Sequence, residues 1–88
     1  MTKEELKEIF EVKKFRCMSE MADYFTKCGF VYEIENDSWN DLDVHFFNQK
    51  DELEFFSQYN PWDDTWTVLI QDLGGPRVYG DFYEITLR

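Results

Sequence analysis

The first third of the chain carries its apolar residues at helical spacing. Leu6, Ile9 and Phe10 recur at intervals of three and four residues, which places them on one face of a helix. Thr2 followed by Glu5 is the pattern of a capping box, in which side chains satisfy free backbone amides at a helix start. The sequence therefore predicts a first short helix that begins just after Thr2.

A second short helix is predicted between Ser19, which suits an N-cap, and Gly29, which suits a helix stop. Residues 13–17 between the two helices are predicted to form a connector or a short strand. The apolar face of the second helix is expected to contain Met21, Ala22, Phe25 and Cys28.

After Gly29 the spacing changes to alternation of apolar and polar residues, which is typical of a strand with one buried face. Phe30, Tyr32 and Ile34 share the predicted inner side of the first strand, and a turn is expected over residues 36–41. Residues 51–59 are compatible with a helix start or a strand, and their alternation favours the strand. The other predicted strands are residues 43–48, 66–71 and 78–88.

Two helices followed by consecutive strands predict an α+β fold, with two N-terminal helices packed on a four- to five-stranded, mainly antiparallel sheet. The 88 residues are expected to form a single acidic domain over residues 1–88. A chain of this length buries roughly 60–65% of its unfolded surface. Its nine Phe, five Tyr and three Trp supply large side chains for a small core.

Charge is unevenly distributed along the chain. The net charge of −10 comes from 9 basic and 19 acidic residues, and residues 33–72 contain Lys50 as their only lysine or arginine. Such a surface repels nucleic acid and anionic membranes and attracts basic protein surfaces. We therefore expect a basic protein partner, with no direct binding of nucleic acid or membrane, and a monomer or weak dimer.

Carboxylates in the predicted strands form regular rows. Glu33, Glu35 and Asp37 alternate along one strand, roughly 6.8 Å apart, and Glu52 with Glu54 could add a second row. Duplex DNA carries a charge about every 3.4 Å on each strand, so two adjacent rows approach its charge density. The alternative is a solvated acidic face that only favours solubility.

Further acidic residues are predicted to lie in turns next to tryptophan. Trp62 adjoins Asp63 and Asp64 in a predicted loop, and an aromatic side chain within an acidic rim is a common interface anchor. The alternative is that the ring folds back onto the core. Asp41 and Asp43 extend the acidic segment around the earlier turn.

Residues that could support catalysis or metal binding are few. His45 is the single histidine, the two cysteines form no CxxC pair, and no nucleotide-binding or hydrolase motif occurs. The spacing of Asp37, Asp41 and Asp43 does not match a calcium loop. We expect no enzymatic activity, no cofactor and no metal. The polar first residues lack the apolar stretch of a secretory signal, which favours the cytoplasm.

One stretch near the C-terminus resembles a known family. Pro61-Trp62, then the segment 66–72, a glycine turn and a closing strand are similar to the end of the phage uracil-DNA glycosylase inhibitors. The resemblance implies an acidic α+β protein that mimics DNA in the basic groove of the enzyme. It also implies that Leu69 lines a pocket for a partner side chain and that Gln71 makes a polar interface contact. Because residues 13–16 are basic here, the acidic middle segment would have to replace the family's acidic edge strand.

The sequence thus favours a small acidic inhibitor that occupies the basic groove of a nucleic-acid-binding enzyme. Uracil-DNA glycosylase is the first expected target, and a defence nuclease such as a CRISPR effector is the next. An immunity protein that neutralises a basic toxin requires the same kind of surface, so it remains an alternative. A structural or assembly module without inhibitory activity is the third possibility.

Overall fold

The computed structural model describes the backbone of residues 1–38, 41–60, 65–75 and 81–85. Side chains are described for residues 1–35, 43–59 and 66–75. Within these ranges the chain forms two helices and then five strands. The predicted α+β fold, with both helices at the N-terminus and packed on one antiparallel sheet, is confirmed.

Helix α1 spans Lys3–Val12 and begins at the predicted capping box. The hydroxyl of Thr2 accepts a hydrogen bond from the amide of Glu5 at 3.2 Å, and the Glu5 carboxylate accepts one from the Thr2 amide at 3.2 Å. Two free donors at the helix start are satisfied in this way. Leu6 and Phe10 are buried on the face towards the sheet.

Helix α2 spans Met18–Lys27, and its N-cap is Cys17 rather than the predicted Ser19. Phe15 is buried in the core, so the chain turns into the helix soon after it. Cys17 adopts the extended backbone of an N-cap, but its side chain makes no capping hydrogen bond. At the other end Gly29 has φ +96°, a conformation that glycine adopts without steric cost, and the predicted stop is confirmed.

The five strands form a meander in which every neighbouring pair is antiparallel. The segment that was compatible with helix or strand is a strand, as its alternation favoured. In chain order the strands are β1 Val31–Ser38, β2 Asp41–Asn48, β3 Leu53–Asn60, β4 Thr65–Asp72 and β5 Asp81–Ile85.

Phenylalanine rings dominate the core between the helices and the sheet. Phe25 of α2 packs against Phe55 of β3 with ring centroids 4.8 Å apart, and Phe55 stacks on Phe46 of β2 at 4.6 Å. Phe10 of α1 contacts both Phe25 and Phe55. Each ring removes a large apolar area from water. The cluster therefore supplies much of the buried apolar surface that holds the two short helices on the sheet.

The described side chains of β1 are exposed, although α2 contacts this strand. Tyr32 and Ile34 pair in register with Phe46 and Val44, so they lie on the helix side of the sheet. They are nevertheless 45% and 56% exposed. The expectation that the first strand is half-buried is therefore wrong beyond Phe30: β1 is at the edge of the sheet, and Tyr32 and Ile34 remain exposed although α2 contacts this strand.

Candidate protein-binding surface

The meander places two strand connections at the same end of the sheet. The strand termini Ser38, Asp41, Asn60 and Thr65 lie there, since Ser38 pairs with Asp41 and Asn60 pairs with Thr65. We call this the acidic end. The chain between and beside these termini contains the acidic residues Asp37, Asp41, Asp43, Asp63 and Asp64.

No lysine or arginine occurs in residues 28–49 or 51–76, so nothing in these strands offsets the acidic end. The opposite end, which we call the Met1 end, is different. There the Met1 ammonium lies 2.8 Å from the Asp51 carboxylate, and the Lys3 ammonium lies 3.8 Å from that of Asp72. Among the described residues, the ammonium groups of Met1 and Lys3 therefore offset carboxylates at the Met1 end of the strands.

Two carboxylates extend the negative charge from the acidic end along β1. Glu33 pairs in register with His45, and Glu35 lies 3.7 Å from the imidazole Nδ1 of His45. Both are on the face of the sheet that faces away from the helices, which we call the open face. The predicted regular row does not continue to Asp37, because the β1–β2 register shifts between Ile34 and Asn36 and interrupts the alternation.

The second predicted row, Glu52 with Glu54, is wrong. Glu52 lies in the turn before β3 with φ +55°, and its carboxylate is exposed there. Glu54 does point to the open face, but it is only 5% exposed. One of the two carboxylates is thus off the strand, and the other is inaccessible to a partner.

Glu54 is buried by a polar network that joins three strands to the turn after β4. Its Oε2 lies 2.9 Å from Nε2 of His45, within hydrogen-bond distance. Its Oε1 accepts hydrogen bonds from the side-chain amide of Gln71 and from the backbone amide of Gly74. The Gln71 amide also donates to the Gly75 carbonyl.

The ring of His45 is further held by stacking on Phe56, with centroids 4.3 Å apart and planes 7° from parallel. Sequence reasoning gave His45 no role, because a lone histidine on a strand carries no pairing signal. The structure makes it a link between the exposed carboxylate of Glu35 and the buried one of Glu54.

The two residues that the family resemblance implied for the interface are buried. Gln71 is 3% exposed and has its amide engaged in the network, so it is not available as an interface contact. Leu69 is 7% exposed and pairs in register with Phe56 on the open face. Leu69 is therefore part of the packing of that face rather than the wall of an open pocket.

The remaining predicted site residues divide between the described and undescribed parts of the chain. Asp43 lies in β2 and is partly buried. Asp37 and Asp41 lie in described strands, although their side chains are outside the described residues. Trp62, Asp63 and Asp64 are outside the described residues altogether.

Exposed apolar side chains on β1 are the feature that sequence reasoning missed. Val31 is 58% exposed, and with Tyr32 and Ile34 it gives the edge strand three of the large apolar residues most accessible to solvent in the described chain. Alternation in a sequence indicates which residues share a face, but it does not indicate whether the strand is central or at the edge. The strand order supplies that information.

The described part of the chain contains no group of three or more His, Cys, Asp or Glu side chains arranged to hold a metal ion. None of its helices is long and apolar enough to cross a membrane. Comparisons of the chain with protein-family models, with curated proteins and with solved structures gave no match.

Proposed function

We propose that this chain is a small acidic inhibitor that places its acidic end and the β1 carboxylates in the basic groove of a nucleic-acid-binding enzyme. The observation that carries the proposal is the polarity of the fold. Asp37, Asp41 and Asp43 belong to strands that meet at one end of the sheet, and the sequence adds Asp63 and Asp64 between the strand termini Asn60 and Thr65 of that end. Glu33 and Glu35 continue along the edge of the sheet, and the ammonium groups of Met1 and Lys3 lie at its other end.

Concentrated charge of one sign supports a binding function more than a solubility function. A protein gains solubility from charges of both signs spread over its surface, whereas adjacent like charges repel and cost stability. The cost is offset when a basic groove neutralises them. A groove that binds a phosphate backbone already presents cations at the required density.

The resemblance near the C-terminus makes uracil-DNA glycosylase the first enzyme to examine and a defence nuclease the second. The support from the structure is for the charge arrangement and not for the family's interface residues, since Leu69 and Gln71 are buried. The assignment to an inhibitor therefore depends on the acidic surface itself.

Displacement of DNA tests the proposal. A fluorescent duplex bound to the enzyme should be released when the protein is added. The affinity of the protein for the enzyme, measured without DNA, should fall as salt rises, because it binds through the cations that bind the duplex. Capture from bacterial lysate at low salt, with elution at high salt, supplies further enzymes for the same assay. If the captured proteins bind no nucleic acid, or retain their DNA when the protein is bound, the groove-occupying function is wrong. A captured toxin would favour an immunity protein.

A further inference from the structure

The outer edge of β1 is not paired with any described strand, because β1 is the first strand of the sheet. A strand edge presents backbone N–H and C=O groups that can pair with another extended chain. In many proteins such edges are short or covered. Here β1 is 8 residues long and carries the exposed side chains of Val31, Tyr32 and Ile34.

The two faces of this edge differ in chemistry. On the helix side Tyr32 and Ile34 are the accessible residues, and both are apolar. On the open face Val31 is exposed at the start of the strand, and Glu33 and Glu35 follow it as exposed carboxylates. An incoming strand that matches both faces must alternate, with cationic side chains over the glutamates and apolar side chains beside Tyr32 and Ile34.

We propose that the β1 edge binds an extended basic segment of the partner as an additional strand of the sheet, with Lys or Arg alternating with apolar residues. This inference rests on the proposed function, since it specifies how a basic partner is held. Main-chain hydrogen bonds give such an interface its affinity, and the alternating side chains give it specificity.

A second copy of the chain is a poor occupant of the same edge. Pairing two β1 strands places Glu33 and Glu35 of one copy beside those of the other, and like charges opposite each other in a sheet are destabilising. Each copy also brings a net charge of −10. The same carboxylates that oppose self-association attract a basic strand. Their charge therefore favours a basic segment over a second copy of the chain at the β1 edge.

The probe is a synthetic peptide in which Lys and Val alternate over about the 8-residue length of β1, and its side chains should match β1 over residues 31–35, before the register shift. Its control has the same composition with the lysines and valines in two blocks, so that net charge is matched and alternation is lost. Amide hydrogen exchange is measured by NMR on the full chain. At a peptide concentration ten times its Kd, the outward-facing β1 amides should exchange about tenfold more slowly with the alternating peptide. The block peptide should leave them unprotected.

Two variants separate the apolar and the charged halves of the interface. Ile34→Thr keeps a β-branched residue on the strand and should weaken peptide binding severalfold, and Glu33→Lys should weaken it further and flatten its dependence on salt. The matched control is Val12→Thr, which changes a side chain that is 72% exposed at the end of α1. It should leave binding unchanged.

Three results would overturn the inference. Both peptides could bind with shifts spread over the acidic surface and no protection of β1, which would indicate charge attraction without strand pairing. The alternating peptide could fail to bind at low salt. Val12→Thr could reduce binding as much as Ile34→Thr. None of these results affects the displacement of DNA from an enzyme, so failure of the strand pairing is distinguishable from failure of the proposed function.

Discussion

Glu54 shows why outward alternation does not guarantee exposure. Its position in the sequence correctly predicts the open face, where a carboxylate would normally be solvated. The turn after β4 brings the backbone amide of Gly74 onto it, and His45 and Gln71 complete its hydrogen bonds. These partners are separated from it by 9 to 20 positions, so no local pattern predicts them.

Removal of the Glu54 carboxylate should destabilise the fold. Glu54→Ala removes an acceptor from the buried Gln71 amide and from the Gly74 backbone amide, and buried groups that lose their partner cost about 1–3 kcal/mol. We expect the free energy of unfolding, measured in urea, to fall by about 2 kcal/mol or more. Glu52→Ala is the matched control and should change it by less than about 0.5 kcal/mol, because that side chain is exposed. Equal effects of the two substitutions would contradict the network.

A pH-dependent pair lies at the Met1 end. The hydrogen bond with Asp51 raises the pKa of the Met1 ammonium above its ordinary value of 8.0, and the same bond lowers the pKa of Asp51 below its ordinary value of 3.8. Asn48 adds a hydrogen bond to the Asp51 carboxylate. The raised group stabilises the fold fully below pH 8.0 and loses that effect as pH rises through its folded pKa. Asp51, whose pKa is lowered, stabilises the fold fully above pH 3.8 and loses that effect as pH falls through its folded pKa.

The unfolding temperatures of the wild type and Asp51→Asn should therefore differ most between about pH 4 and pH 8. The difference should shrink on both the acid and the alkaline side of this window. Thermal melts followed by circular dichroism across the pH range provide the measurement. A difference that stays constant with pH would show that the Met1–Asp51 pair does not contribute through its charges.

At the scale of single elements, the sequence correctly predicts the start of α1 and the end of α2, because residues close in the chain determine both. Thr2 and Glu5 satisfy amides within one turn, and Gly29 adopts a backbone conformation that few other residues tolerate. Ser19 was assigned as an N-cap because its side chain suits that role. The helix start is instead set by the burial of Phe15, which brings the chain into the helix at Cys17.

The uncapped start of α2 leads to a prediction. Cys17 has the backbone of an N-cap without a side-chain hydrogen bond, and it is exposed. Cys17→Ser supplies an oxygen of similar size that can accept from a free amide of the first turn. We expect the free energy of unfolding to rise by about 1 kcal/mol. Cys28→Ser is the control, because Cys28 follows the end of the same helix and is partly buried. It should not stabilise the protein, and an equal gain would contradict the capping explanation.

The exposure of β1 and the interruption of its carboxylate row were beyond sequence reasoning for a topological reason. The alternation of apolar and polar residues is the same in a strand at the edge of a sheet, which has one neighbouring strand, and in a central strand, which has two. The register shift near Glu35 depends on how β2 pairs with β1, which involves residues on both sides of the connection. Strand order and register thus determine what a partner meets at the edge.

For the whole molecule, the main result is that the order of the strands brings acidic residues from separate parts of the sequence to one end of the sheet. Asp37, Asp41 and Asp43, which are separated along the chain from the termini Asn60 and Thr65, share one end of the sheet with them because a meander returns alternate connections to the same end. The sequence showed the excess of charge and its place in the chain. It did not show that the ammonium groups of Met1 and Lys3 would neutralise the opposite end.

The central claim is that the acidic end and the β1 carboxylates attract the partner, and association rates test it most directly. The association rate constant is measured by stopped flow at several ionic strengths, with the enzyme from which the protein displaces DNA. The proteins compared are the wild type, the β1 variant Glu33→Lys/Glu35→Lys and the α1 variant Glu8→Lys/Glu11→Lys. Both variants change the net charge equally, but the second pair is exposed on α1. We expect the β1 reversals to slow association about tenfold or more at low salt and to flatten its salt dependence, since steering acts on the association rate. The α1 reversals should have a much smaller effect. Equal slowing by both variants, or greater slowing by the α1 pair, would contradict the account.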